Sequence, residues 1–262
     1  MSRVQPAAVA GMFYPADPDQ LRADIKQYLA QAGRKSASPL KALIAPHAGY
    51  IYSGPVAGNA YAQLASQSDT ISRVVILAPA HRVAFAGIAY PSAAVFRTPL
   101  GDIEVDREAV RSIAGLPQLQ QRDDAFSNEH SIEVHLPFLQ ETLTGFKIVP
   151  LLVGNATPSQ VDEVLESLWG GSETLILISS DLSHYLSYDA ARKMDREATS
   201  AIESLNPEAL SYHHACGRIP VGGLLLAARR HRLQVETLDL RSSGDTAGTR
   251  DRVVGYGAYA LS

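Results

Sequence analysis

The chain has 262 residues, 46% of them hydrophobic and 19% charged, with a formal net charge of −4. This is enough apolar material for one large α/β domain, and its interspersed acids and bases form no basic stripe, which argues against a nucleic-acid partner. No apolar run reaches the roughly 20 residues that span a bilayer. Met1 to Tyr14 lacks the charged start and apolar run of a secretory signal, and the single cysteine, Cys216, excludes an intramolecular disulfide, so a cytoplasmic protein with no membrane partner is expected.

A tail holding Pro6, Pro15 and Pro18 precedes a helix predicted at about Leu21 to Ala32, where Leu21, Ile25 and Leu29 recur at helical spacing. The next strand contains Ala42-Leu43-Ile44-Ala45 and ends at His47. Ser53-Gly54-Pro55 then opens a helix through Leu64, with the proline where its missing N–H does no harm. Arg73 to Pro79 reads as a second buried strand, Phe85 to Tyr90 as its neighbour, Ile103 to Val105 as a short edge piece and Arg107 to Ala114 as a helix. A helix is predicted at His130 to Thr142, a third central strand at Lys147 to Val153, an acidic surface helix at Ser159 to Trp169 and a fourth strand at Thr174 to Ser179. Helices at Tyr188 to Leu205, Pro207 to Tyr212 and Pro220 to Arg232 lead to strands at Gln234 to Leu240 and Val253 to Leu261. There is no internal repeat or low-complexity linker, so residues 1–262 read as one domain. Strands alternating with helices predict a three-layer αβα architecture, its sheet mixed because the last two strands are close in sequence.

Three of the strands deliver polar residues to their carboxyl ends, where open α/β sheets collect ligands. Ala45-Pro46-His47-Ala48-Gly49-Tyr50 places His47 on a turn between a proline that stops the strand and a glycine that permits an unusual backbone angle. Pro79-Ala80-His81 repeats the arrangement, and imidazoles at two strand ends suit a metal ion. In Ser179-Ser180-Asp181-Leu182-Ser183-His184, a helical turn after the strand would put Asp181 and His184 on one face. Either residue then ligates metal, or Asp181 orients His184 for proton transfer; helix capping by Ser180 or Asp181 is the plain structural alternative.

In Asn128-Glu129-His130-Ser131-Ile132-Glu133-Val134-His135 the histidines are five apart and Ser131 follows His130, which rules out the zinc-protease helix. Ser127 or Asn128 as a helix cap competes there with pocket lining by the acids and imidazoles. Cys216, in His213-His214-Ala215-Cys216-Gly217-Arg218, precedes a helix start, and the helix end together with Arg218 favours a thiolate. Joined with His47 and His81, it makes a set suited to iron, copper or zinc rather than magnesium or calcium. Its structural alternative is a small buried hydrophobe. No glycine-rich phosphate loop or nucleophile elbow is present; Gly217 and Gly222-Gly223 fit neither nucleotide pattern.

In order and spacing these motifs, with Arg97-Thr98-Pro99-Leu100 and Cys216-Gly217-Arg218-Ile219-Pro220-Val221-Gly222, resemble the successive motifs of the Memo family over nearly the whole chain. Microbial members of that family are called AmmeMemoRadiSam system protein B, so the resemblance implies a radical-SAM protein as partner. It also implies a fold similar to class III extradiol ring-cleaving dioxygenases, which use non-haem iron(II). Carried over by motif, His47, His81 and Cys216 become the metal ligands and Asp181 and His184 line the same pocket, with Tyr50, Glu129, His130, Glu133, His135 and Arg218 around it. The dioxygenases complete two histidines with a carboxylate, and this chain departs from them in offering a thiol. The resemblance further implies copper or iron binding and redox chemistry, and, for eukaryotic members, signalling through phosphotyrosine-containing receptor tails.

The leading expectation is therefore a mononuclear iron or copper protein of oxidoreductase type. In it His184, oriented by Asp181, moves protons for an oxygen-dependent step on a small molecule. The alternative is a non-catalytic module that binds a phosphorylated or anionic peptide or small molecule through the imidazoles and Arg218. A hydrolase using zinc-bound water is the third reading.

Overall fold

The apolar runs form the centre of a nine-stranded sheet in the computed structural model, which describes residues 3–33 and 39–262. In chain order the strands are β1 (Val4–Gln5), β2 (Ala42–Ala45), β3 (Arg73–Pro79), β4 (Ile88–Tyr90), β5 (Val95–Thr98), β6 (Gly101–Glu104), β7 (Leu119–Gln121), β8 (Lys147–Val153), β9 (Thr174–Ser179), β10 (His184–Leu186), β11 (Val235–Ser242) and β12 (Val253–Leu261). The helices are α1 (Pro18–Ala30), α2 (Tyr50–Tyr61), α3 (Arg107–Ile113), α4 (Asp123–Phe126), α5 (Leu136–Thr142), α6 (Pro158–Ser167), α7 (Tyr188–Glu203) and α8 (Arg218–His231).

The main sheet runs β10-β12-β2-β9-β3-β8-β4-β7, with β11 also paired to β12. Its centre, β2, β9, β3 and β8, is parallel, while β12 joins β2 antiparallel and β4 joins β8 antiparallel. Helices α1, α2 and α5 pack on one another on one side, and α6, α7 and α8 cover the other. A sheet covered on both faces has no solvent side, so β2 and β9 are buried at every residue and read as continuous apolar runs rather than alternating ones. The expected three layers and mixed sheet are present, and β11 and β12 pair antiparallel as their closeness in sequence requires.

Local chemistry sets several element ends. The Asp17 carboxylate accepts from the amides of Asp19 and Gln20 to start α1, and Thr157 with Gln160 forms a capping box on α6. Among the described residues no helix is long and apolar enough to cross a membrane.

Elsewhere the fold departs from expectation. The helix placed at Ser53-Gly54-Pro55 already starts at Tyr50 and takes Pro55 inside it, forgoing one bond to the carbonyl of Ile51, an exposed residue. Gly49 caps that helix with φ −58°, so it needs no glycine-only backbone angle. Only Pro207–Ala209 of the Pro207 to Tyr212 helix forms, as a single 3-10 turn. The tail contributes β1 to a small separate sheet, β1-β5-β6, and the edge piece near Ile103 is one arm of its hairpin. No helical turn follows β9: Leu182 donates its amide to Gly255, and His184 opens β10.

Candidate metal centre

Strand order decides where the polar clusters meet. β9 lies between β2 and β3, with Ala45 beside Ser179 and Leu77 beside Ile178, so the three chains leave the sheet at the same edge. Immediately beyond that edge come His47, Asp181 and His81. Cys216 arrives from the other side of the chain, just before α8. Its amide donates to the Asp181 carbonyl at 3.2 Å, and its sulfur accepts from the Asp181 amide at 3.3 Å.

The ligating atoms of His47, His81 and Cys216 all lie within 4.8 Å of one another, and Sγ of Cys216 is 3.4 Å from Nε2 of His47. Nitrogen and sulfur donors bound at roughly 2.1 and 2.3 Å to one tetrahedral ion stand about 3.5 Å apart. The spacing therefore fits a shared ion. The donor set fits too, because two imidazoles and one sulfur select iron, copper or zinc over hard cations.

Hydrogen bonds fix which ring nitrogens face that point. Ser179 donates its hydroxyl proton to the Ser131 carbonyl at 2.6 Å, so its oxygen must accept from Nδ1 of His47, also at 2.6 Å. Nε2 of His47 is then left with its lone pair. Burial, and the neighbouring imidazoles of His81, His130 and His135, hold the His47 pKa well below the ordinary histidine value, which keeps the ring neutral.

His81 is fastened in the same way. Oε1 of Glu129 accepts from its Nδ1 at 3.1 Å, and Oε2 accepts from its main-chain N–H at 2.6 Å. Burial alone would raise the Glu129 carboxyl, but contacts with His130 and His81 hold it far below the usual range, so it is an anion and the Nδ1 proton stays on His81. A carboxylate behind a ligating imidazole is the usual support of a metal-binding histidine. Ser131 ties this support to the strands by donating to the Pro79 carbonyl at the end of β3, at 2.8 Å.

Glu129 also explains why no helix begins at His130. Its carboxylate accepts from the amides of His130 and Ser131, which a helix cap would otherwise take, and the chain turns there until Glu133. Neither Ser127 nor Asn128 caps it; Ser127 closes α4 instead. His130 stacks on His81 with ring centroids 4.9 Å apart, and its Nδ1 lies 3.2 Å from Glu129, off the line of a hydrogen bond.

The other residues placed around the pocket divide. His47, His81, His130, Asp181 and His184 line one cavity of about 810 Å³. Asp181 accepts from the main-chain N–H of His47 at 2.8 Å and makes no hydrogen bond with His184 among the described residues. Burial pushes its carboxyl up, opposed by that N–H. Tyr50, Glu133 and His135 face the core instead. Tyr50 donates to the Val134 carbonyl, Glu133 accepts from the amides of Ala8 and Val9 and from the Tyr14 hydroxyl, and His135 pairs with the Tyr61 hydroxyl at 2.6 Å. Arg218 lines a different, smaller cavity. Cys216 is not a thiolate by environment either, since burial raises its thiol and the Asp181 carboxylate adds to the rise.

Sequence reasoning gave no role to Ser179, which sits in a quoted motif, and missed Arg252, Tyr52 and Tyr185 on the cavity wall. Arg82 and Arg252 line that cavity with no hydrogen bond or ion pair among the described residues; Arg252 lies over the Tyr185 ring at 5.3 Å.

Comparison with known proteins agrees with the motif order. The family model described as Memo-like protein matches residues 5–260. A MEMO1 family protein of Methanopyrus kandleri is 35% identical over 276 residues, covering 97% of each chain, and one of Aquifex aeolicus is 35% identical over 265 residues with the same coverage. A MEMO1 family protein of Sulfolobus acidocaldarius is 34% identical over 273 residues, covering 95% of this chain and 96% of its own.

Proposed function

Because the chain belongs to the Memo-like family, and three of its side chains converge on one point, we propose that it is a mononuclear metal protein using iron or copper for redox chemistry on a ligand held in the 810 Å³ cavity. The observation that carries this reading is the pair of imidazoles whose Nδ1 protons are held from behind, with the freed Nε2 of His47 standing 3.4 Å from the sulfur of Cys216. His47, His81 and Cys216 would hold the ion, which supplies open coordination positions and electron transfer when bound. Ser179 and Glu129 hold the two rings so that little ordering is left to binding. Asp181 holds the main chain of His47 and adds negative charge beside the sulfur. His184 presents an exposed imidazole on the cavity wall, able to take or release a proton at either nitrogen.

Elemental analysis of protein purified without added metal, beside His47→Ala and Cys216→Ser, tests the reading. About one equivalent of iron or copper in the parent and little in both variants is expected. Equal, negligible metal in all three defeats it. Zinc at full occupancy would move the protein to hydrolytic chemistry with zinc-bound water.

A second reading is favoured by Arg82 and Arg252, two guanidiniums on the wall of the same cavity that make no hydrogen bond or ion pair among the described residues. An unpaired guanidinium beside a pocket offers a forked site for carboxylate or phosphate. On this reading the cavity captures an anionic ligand without turnover, through these two arginines rather than Arg218. Titration with phosphotyrosine and with catechols separates the readings: dioxygen uptake with catechols supports the enzyme, and saturable, metal-independent phosphotyrosine binding lost in Arg82→Ala supports the module.

A further inference from the structure

Cys216 and the Pro79–His81 turn form a wall between two cavities. On one side is the 810 Å³ cavity, which His47 and His81 line and Cys216 does not. On the other is a cavity of about 270 Å³, which Cys216 lines with Ala80, Val83, Phe85 and Ile219, and which neither histidine reaches. Cys216 is partly exposed as a residue although its thiol is largely enclosed, and of these two cavities it lines only the smaller, so its open side faces this second space.

The dimensions of the two cavities assign them different visitors. Sites for substrate-sized molecules run to roughly 300–1,000 Å³. The larger cavity falls well inside that range and the smaller sits at its lower edge; since an apolar cavity of about 150 Å³ holds benzene, the smaller has room for a molecule of benzene size or somewhat larger. Most of the smaller lining is aliphatic or aromatic; Arg218, Asn155 and Tyr212 supply its polar part. Apolar walls favour an uncharged visitor, and Arg218 is the one charged group on this lining. The backbone is shaped to keep this wall: a Cβ at Gly154 would stand 2.4 Å from the Phe85 carbonyl and 2.8 Å from its ring.

We infer that the smaller cavity is a separate binding pocket and approach path for a small uncharged molecule, of about benzene size or less, which reaches Cys216 from the face opposite the imidazole pocket. The centre is then two-sided. A substrate-sized ligand meets the histidines, and the small molecule meets the sulfur. The role of that molecule as co-reactant rests on the metal reading above, whereas the path itself does not.

Labelling of Cys216, the chain's single cysteine, measures the path directly. The full chain, as purified and again after chelation, is treated with iodoacetamide at alkaline pH and the modified fraction is followed by mass spectrometry. Val83→Trp, which fills the smaller cavity, is expected to slow labelling by about tenfold, while Thr249→Trp, in the larger one, leaves the rate unchanged. Ala84→Trp, at an exposed lining position, serves as the second filling variant should Val83→Trp fail to fold. An unchanged rate in the filling variants, equal slowing by Thr249→Trp, or no labelling of the parent after chelation overturns the inference. Absence of metal in the elemental analysis would remove the co-reactant role and leave these labelling rates as they are.

Discussion

The sulfur of Cys216 stands 3.4 Å from Nε2 of His47, although 169 positions of chain separate the two residues. The Nδ1–H of that imidazole is held by Ser179, whose own proton is committed to the Ser131 carbonyl. The lone pair facing the sulfur is therefore a product of the fold, not of the histidine itself.

Removal of that support is expected to weaken metal binding without dismantling the protein. In Ser179→Ala, Nδ1 of His47 loses its acceptor, the ring is free to change tautomer, and affinity should fall roughly 10–100-fold. Competition titration against a chelator measures this, with circular dichroism to show that the fold persists. Unchanged affinity would mean that the Ser179 contact does not prepare the ligand.

Glu129→Gln should cost stability in a pH-dependent way. The carboxylate accepts four N–H groups, two from His81 and one each from His130 and Ser131, and an amide in its place turns one acceptor into a donor facing donors. A loss of roughly 2–3 kcal/mol is expected from denaturant unfolding near neutral pH. Because the folded carboxyl is held below its ordinary value of 4.5, its contribution is fully present above that value and is lost as pH falls below it. The gap between parent and variant should therefore narrow in acid; a constant gap would contradict a charged Glu129.

His135 gives a second acid sensitivity. Burial, with the nearby His130, lowers its pKa to about 3 from an ordinary 6.5, so below pH 6.5 the unfolded chain binds a proton that the folded chain refuses. Stability is present in full above 6.5 and should fall by about 1.4 kcal/mol per pH unit down to about 3. His135→Phe, which cannot titrate, should flatten that stretch of the curve while losing the Tyr61 hydrogen bond. The same slope in both proteins would place the acid response elsewhere.

Gly255→Ala should disturb the segment that carries Asp181. An added Cβ would stand 2.1 Å from Oδ2 of Asp195, whose Oδ1 accepts from the Ser183 amide at 3.0 Å. Gly255 also exchanges main-chain bonds with Leu182 and Ser183. A drop of about 1–3 kcal/mol is expected, read as a lower melting temperature together with weaker metal binding. A variant as stable as the parent would show that Asp195 has room to move.

The legible parts of the chain were those where one local property decides the outcome. β3, β8, β9 and β12 begin and end where the sequence places them, because a run buried on both faces must be apolar throughout and stops where polar residues start. β1, β5, β7 and β10 span two to four residues, too few for any period to register. The helix start at His130 misled because the residue just before it took the amides: Glu129 accepts from those of His130 and Ser131. Among the site residues, the strand-end position of His47, His81 and Asp181 was readable. The inward turn of Tyr50, Glu133 and His135 was not, since their partners Val134, Tyr14 and Tyr61 come together only in the packed core.

From the sequence alone follow the apolar runs, the polar residues that terminate them, and hence an αβα sheet with imidazoles at one edge. Burial and strand termination are properties of a few consecutive residues. The tertiary structure decided that β9 lies between β2 and β3, that Cys216 returns to meet His47, which nitrogen of each ring carries its proton, and that Arg218 opens on the far side of the wall. Those outcomes depend on crossovers and on hydrogen bonds between residues many tens of positions apart, and a contact of that kind leaves no trace in the spacing of its own neighbours.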